Sequence, residues 1–383
     1  MSVDGEECLL SSILPGFANV KILELFCGIG GLSLGFERAG FELSLAVDNW
    51  RDALDTYKKN HLYTECLEFD LAAGEGALYE LLHPLKGEIA GLIGGPPCQG
   101  YSTMGDRDSS DPRNLLWRSV LFAAETLEPE FVVIENVEGI LHIGDKKLPH
   151  VIQSELEKLG YKAEWKILVS ADYGVPQLRK RFIMIANKGS NHIGFPNPTH
   201  AQVPDLFNAE RWRTVIEAIG DLPPLLSGEK SDVYTMDPIT DYQRLLRSDC
   251  DVLTHHQAVN HPPSLVRAIS FIPDGGNRKS IPDEYQPKSG FHNSYARLAS
   301  NKPAIAVTSN MRKPSSARAT HPFQNRGLTV REGLRLQGFP DNFTLSSSRT
   351  SQYLQVGNAV PVPLAFAIAS HLGKALFPSI VNE

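Results

Sequence analysis

Short apolar runs separated by stretches of helical period divide the first half of the chain into repeating strand–helix text. VKILELF (Val20–Phe26) reads as a strand, and apolar residues then return at helical spacing through CGIGGLSLGFERAG. FELSLAVD (Phe41–Asp48) and TECLEFD (Thr64–Asp70) are the next strands, each ending on an acid and each followed by a helix, the first running to about Asn60. IAGLIGG (Ile89–Gly95) is a buried parallel strand stopped by two prolines, which have no N–H to give a ladder. There follow a helix through Leu127, the strand EFVVIENV (Glu130–Val137) and the amphipathic helix KLPHVIQSELEKLGY. A strand, turn and strand over YKAEWKILVSADYGVPQLRKRFIMIA complete the pattern, which ends near Ala186. Strands alternating with helices imply an α/β fold with a largely parallel, Rossmann-like sheet.

Beyond that point the text is rich in Pro, Ser, Asn and His, with short strand-like pieces such as AIAVTSN (Ala304–Asn310). At 383 residues the chain exceeds one compact core. The expected division is a first domain of residues 1–188 and 326–383, and a second, smaller, mixed or β domain of 189–325. Thr329 and Glu332 have the spacing of a capping box at the start of a helix Val330–Gln337. A long apolar helix is expected within Gln355–Leu372.

Composition narrows the class. An apolar content of 42% and a charged content of 21% are ordinary for a soluble protein, and no apolar run approaches the roughly 20 residues that span a bilayer. The acidic N-terminus with its short apolar run is expected to be neither a signal peptide nor a basic transit peptide. Five scattered cysteines without a CxxC pair fit a reducing, cytoplasmic setting and no metal site. The net charge of −7 is awkward for a nucleic-acid enzyme, but Arg297–Arg335 holds eight Lys or Arg against one acid, Glu332. Such a stripe on an acidic body can track phosphates.

Four groups of residues carry chemistry. In GGPPCQGYS (Gly94–Ser102), Cys98 follows a parallel strand on a stiff turn, a good position for a nucleophile. Gly28, Gly30 and Gly31 permit a sharp turn close to a ligand, and Asp48 and Asp70 at the next two strand tips suit ribose hydroxyls and an adenine amino group. Glu135 ends an apolar strand, where a carboxyl serves as a general acid or sits in a buried salt bridge. Gln177, Arg179 and Arg181 share one turn, and guanidinium forks serve carboxylates, phosphates or a pyrimidine carbonyl alike.

Together these motifs resemble the DNA (cytosine-5) methyltransferases of bacterial restriction–modification systems. The carriers are ELFCGIGGLSLGFERAG, GGPPCQGYS, ENV after FVVI, Q-x-R-x-R, R-x-L-T-x-R-E with L-Q-G-F-P, and G-N-A-V-P, in family order from about Val20 to Leu372. The family usually has Phe where Tyr101 stands. The resemblance implies an S-adenosyl-L-methionine-dependent methyltransferase with a target-recognition domain, acting on a flipped-out cytosine in a specific double-stranded DNA sequence. It implies Cys98 as nucleophile, Glu135 at ring N3, Arg181 at the base's O2 and Arg179 at the site's carboxylate or a phosphate. Phe26, Gly28, Gly30, Asp48, Asn49, Asp70, Leu71, Pro96, Asn358 and Val360 would form the cofactor site, with Asn49 or Trp50 covering the adenine. Gln99, Ser102, Gln177 and Arg326 would contact DNA. No Cys-Phe-Thr tripeptide of the transfer-RNA branch occurs. A monomer without membrane or metal partners is expected, and the recognition sequence is not legible.

Overall fold

Seven strands form one sheet in the order β3-β2-β1-β4-β5-β7-β6, in a computed structural model that describes residues 17, 19–97, 116–142, 147–190, 192–204, 209–248, 250–288, 294–315 and 319–378. The strands are β1 Lys21–Leu25, β2 Glu42–Asp48, β3 Glu65–Glu68, β4 Gly91–Gly94, β5 Phe131–Val137, β6 Lys162–Val169 and β7 Lys180–Asn187. The first five run parallel, and β7 lies antiparallel between β5 and β6. The helices between them are α1 Gly31–Arg38, α2 Arg51–Asn60, α3 Glu75–Leu82, α4 Trp117–Leu127 and α5 Leu148–Lys158. Strands covered on both faces must be apolar throughout, and Phe131–Ile134 of β5 and Ile183 and Met184 of β7 are fully buried.

The chain forms two compact units. Among the described residues, one takes in Phe17 to Val169, Lys180–Asn197 and those from Ala365 on; the other takes in Ser170–Arg179 and Pro198–Leu364. These limits differ from the expected 1–188, 189–325 and 326–383. The Ser170–Arg179 turn joins the second unit because its backbone bonds there, Leu178 N to Ala304 O at 2.8 Å and Ala304 N to Pro176 O at 2.9 Å. The return to the sheet comes at Ala365, inside the last helix.

The second unit holds the pair β8 His200–Ala201 and β9 Glu210–Arg211, and helices α6 Val215–Ile219, α7 Asp241–Arg247, α8 Pro263–Ser270, α9 Val330–Leu336 and α10 Arg349–Asn358. Its expected β character reduces, among the described residues, to that two-residue pair and isolated bridges. Ala304–Asn310 makes one bridge, Gln177 to Ala304, and no strand, because Val307 N bonds to a side chain, Gln177 Oε1, at 2.7 Å. The capping box at Thr329 and Glu332 is present.

The last helix, α11, spans Val362–Leu376. Arg349–Leu376 is long and apolar enough to cross a membrane, but more than half of its apolar window is buried inside the protein, as in a core helix. Past α11, Phe377 closes an aromatic cluster with Phe41 and Phe131, the ring centroids 6.3 and 6.4 Å away.

Candidate active site

The strand order reverses between β1 and β4, and in open α/β sheets ligands bind at such a point, beyond the carboxyl ends of the strands. Leu25 and Gly94, the last residues of these two strands, are register partners. The glycine loop after β1 and the proline turn after β4 therefore leave the sheet side by side.

The loop is built from backbone conformations that most side chains avoid. Phe26 has φ 60°, Gly28 φ 55° and Gly30 φ 82°; a non-glycine residue there is strained, and such strain collects at functional sites. A Cβ on Gly30 would run into the rings of His61 and Tyr57, whereas one on Gly28 would meet nothing within 4 Å among the described residues. The space over Gly28 is thus open to a ligand. Asp48, at the tip of β2, accepts from Gly28 N–H at 2.8 Å and Trp50 N–H at 2.9 Å. Burial pushes its carboxyl up, and the bonds from the Gly28, Trp50 and Asn49 N–H groups pull it back. Asn49 is exposed and Trp50 half-buried, so neither side chain is committed to the core. Asp70 is exposed and accepts from Ala72 N–H at 3.0 Å. Leu71 packs in the sheet's core cluster.

Next to this loop, Asn136 ties down the proline turn by donating from Nδ2 to the Pro96 carbonyl at 2.8 Å. Glu135 lies over Gly95: a Cβ there would sit 3.1 Å from Glu135 Oε2. Both Glu135 and Arg181 are buried, and Arg181 Nε is 2.5 Å from Glu135 Oε1. β5 and β7 bring them together, since the antiparallel register sets Val137 opposite Arg181 and Glu135 opposite Ile183. Burial pulls the Arg181 guanidinium down, and the charge and hydrogen bond of Glu135 oppose this only in part.

Several expectations need correction. Glu135 is paired with Arg181. Arg179 is buried in the other unit and donates to carbonyls, Val307 at 2.7 Å, Gly357 at 2.8 Å and Ala359 at 3.3 Å. Gln177, fully buried, donates to Leu336 O at 2.9 Å and accepts from Val307 N–H. Arg326 is also fully buried, forked onto Glu332 at 2.9 and 2.7 Å. Half of the basic stripe goes the same way, and its Arg318 lies outside the described residues. Arg297, Arg326, Arg331 and Arg335 point inward, onto carbonyls or onto Glu332, Asp221 and Asp341. Lys302 and Lys313 remain exposed, and Arg312 is half-buried over the Tyr353 ring. In the same unit, Asn358 ends α10 exposed and Val360 is buried just beyond it. Cys98, Gln99 and Ser102 lie outside the described residues.

The structure adds Asn136 and a row behind the loop to the site. Glu24, in the middle of β1, is buried, and burial pushes its carboxyl up to about 8. It accepts from Ser33 Oγ, which also meets the Tyr57 hydroxyl at 2.7 Å. Tyr57 stacks on His61 at 4.0 Å between centroids, and His61 Nδ1 pairs with Glu37 at 2.8 Å. This row backs the glycine loop. The one signal for it was an acid inside the apolar run KILEL.

The loop fits S-adenosyl-L-methionine: open space over Gly28 among the described residues, a half-exposed ring at Phe26, and acids at Asp48 and Asp70 beyond the ends of β2 and β3. Among the described residues no group of His, Cys, Asp and Glu could hold a metal.

Comparisons with known proteins agree with this geometry. The profile of the C-5 cytosine-specific DNA methylases matches residues 20–374. Type II methyltransferase M1.HphI of Haemophilus parahaemolyticus is 37% identical over 369 residues, covering 95% of this chain and 90% of that protein. Type II methyltransferase M.DdeI of Desulfomicrobium norvegicum is 34% identical over 376 residues, covering 92% and 88%. Among solved structures, a DNA modification methyltransferase encoded within an E. coli prophage superposes with a TM-score of 0.73 at 24% identity, covering 95% of this chain and all of that one. The methyltransferase EhMeth of Entamoeba histolytica gives 0.58 at 17% identity, covering 94% and 99%. A sheet with its loop and acids at the switch point, joined to this match along nearly the whole chain, makes the protein a member of the C-5 cytosine-specific DNA methylase family, an enzyme that moves a methyl group from S-adenosyl-L-methionine to carbon 5 of cytosine in DNA.

Proposed function

We propose that the enzyme works through a covalent adduct on Cys98. The reading rests on the buried Glu135–Arg181 pair over Gly95, three residues ahead of Cys98. Carbon 5 of cytosine is a poor nucleophile. Addition of the Cys98 thiolate to carbon 6 leaves an enamine whose carbon 5 is nucleophilic. Glu135 donates to, or shares a proton with, ring N3, so that charge does not build on the ring. Arg181 holds Glu135 in place and faces the base's O2. The cofactor, when bound, supplies an electrophilic methyl on sulfonium. Phe26, Gly28, Gly30, Asp48, Asn49, Asp70, Leu71 and Pro96 seat it. Loss of the carbon 5 proton then allows Cys98 to leave. A stacked base is out of reach, so the target cytosine flips out of the duplex. The second unit reads one double-stranded sequence, and Gln99 and Ser102 contact the DNA. By analogy with its type II relatives the enzyme is the modification partner of a restriction endonuclease, a monomer in the bacterial cytoplasm.

The test is DNA carrying 5-fluorocytosine at the target. Fluorine cannot leave as a proton does, so a complex stable in a denaturing gel should trap on Cys98, and Cys98→Ser should bind cofactor but transfer no methyl. Turnover by the serine protein, or no trapped adduct, rejects the reading. Bisulfite sequencing of DNA from cells expressing the protein identifies the site.

A further inference from the structure

Two thiols that the proposed reaction does not use meet behind the glycine loop. Cys27 stands between Phe26 and Gly28, both at positive φ, and its N–H bonds to Val47 O at 3.2 Å. Cys66 of β3 is the register partner of Ala46, the residue before Val47. β2 thus draws the two cysteines to adjacent positions, and Cys66 packs against the cluster of Cys27, Ala46, Leu54 and Tyr57. Cys27 is 5% exposed, while Cys66 is half-buried and reachable from solvent. Their chemistry is unequal. Hydrogen bonding to Cys27 pulls the Cys66 thiol down, helped by Lys58 and opposed by burial, Asp48 and Asp55. Burial, then Cys66, Glu24 and Asp48, push Cys27 up. A half-buried cysteine whose thiol is pulled down, packed against a buried one, is the arrangement of an attacking and a resolving cysteine.

We infer that Cys66 and Cys27 are a peroxide-oxidisable pair whose disulfide disables the cofactor loop. The Cys66 thiolate attacks one oxygen of a hydroperoxide; the O–O bond breaks and the other oxygen leaves as water or alcohol after taking a proton. Cys66 becomes a sulfenic acid. The Cys27 sulfur attacks it, the S–O bond breaks, and hydroxide leaves as water with the Cys27 proton. The two sulfurs are oxidised by two electrons and the peroxide is reduced by two. Drawing Cys27 toward Cys66 moves the residue that joins Phe26 to Gly28, and with it the N–H that Asp48 holds. A reducing thiol reverses the reaction.

The inference rests on reading Phe26–Gly30 as the cofactor seat, and the test separates the two. The full-length protein carries Cys98→Ser, so that oxidation of the nucleophile does not intrude, and cofactor binding is read by calorimetry before and after hydrogen peroxide, then after dithiothreitol. Saturable binding is expected in the reduced protein, its loss after peroxide, and its recovery with dithiothreitol. Peptide mapping without reductant should find Cys27 joined to Cys66. Adding Cys66→Ser, or Cys66→Ala if serine perturbs β3, should leave binding indifferent to peroxide. No Cys27–Cys66 peptide, a crosslinked protein that still binds, or equal loss in both Cys66 variants overturns the inference. A reduced protein that binds no cofactor overturns the seat, and the inference with it.

Discussion

Arg181 and Glu135 face each other 2.5 Å apart from neighbouring antiparallel strands, both buried, at the edge of the proline turn. Charges so placed are costly to separate: removing one partner of a buried pair costs about 3–5 kcal/mol, while replacing both with well-packed neutral groups is often close to neutral. Arg181→Met should therefore lower unfolding free energy by that amount, and Glu135→Leu with Arg181→Met should recover most of it. Neither protein should transfer methyl. Denaturant unfolding beside a labelled-cofactor assay reads both, and methyl transfer by the double variant would remove the pair from the chemistry.

Asp48 and Asp70 differ in what else they hold. Asp70→Ala should weaken cofactor affinity by about 1–3 kcal/mol with little change in melting, since its side chain bonds one exposed turn. Asp48→Ala should lower both, because Gly28 and Trp50 N–H groups lose their acceptor. Calorimetry and thermal melts decide; unchanged affinity in both variants would make the two acids structural caps.

Glu24 makes stability fall as pH rises. Its folded carboxyl titrates near 8, above the unfolded value, so the folded state holds the extra proton. Its stabilising contribution is complete below the unfolded pKa and is lost as pH climbs to about 8, at a slope of at most roughly 1.4 kcal/mol per pH unit. Glu24→Gln should flatten this part of the stability–pH curve between pH 5 and 8, which urea titrations at stepped pH would show. An unchanged slope would mean that Glu24 is ionised in the fold.

Arg326 and Lys313 lie within one basic stretch of sequence and should behave oppositely. Arg326→Met leaves Glu332 buried without its fork and should destabilise by about 3–5 kcal/mol, without altering the salt slope of DNA binding in the protein that remains folded. Lys313→Ala should leave stability alone and lessen that slope by about one if Lys313 meets a phosphate. Binding titrations over a salt series, with melting curves, test both.

Exchange of target specificity should depend on where the graft ends. Replacing 189–325 alone separates Arg335 from Asp221 and Ala218 O, and Arg331 from Thr254. A graft of 198–364 together with 170–179 keeps these bonds within one parent. The longer graft should fold and methylate the donor's site, and the shorter one should yield little folded protein. Methylation mapped over a random-sequence library would show it; an active long chimera that keeps its own site places specificity elsewhere.

The alternation of apolar runs was enough to predict the sheet, its strands to within a residue or two, and the loops that follow β1 and β4. β1, β4, β5 and β7 are buried along nearly their whole length, and such strands are written largely as apolar runs that end in turn residues. The capping box at Thr329 was equally legible, because caps are local. What sequence could not decide was the direction in which a charged side chain points. Arg297, Arg326, Arg331 and Arg335 read as a surface stripe, yet lie inside, where carbonyls and carboxylates distant in sequence receive them. Arg179 and Arg181, two residues apart in one motif, end in different compact units: β7 begins at Lys180, so Arg181 takes its place in the sheet beside Glu135, while Arg179 turns to the carbonyls of Val307 and Gly357. Residue type sets what a side chain can bond; only the tertiary structure sets which partner is within reach, since burial makes any unmatched charge too costly to keep.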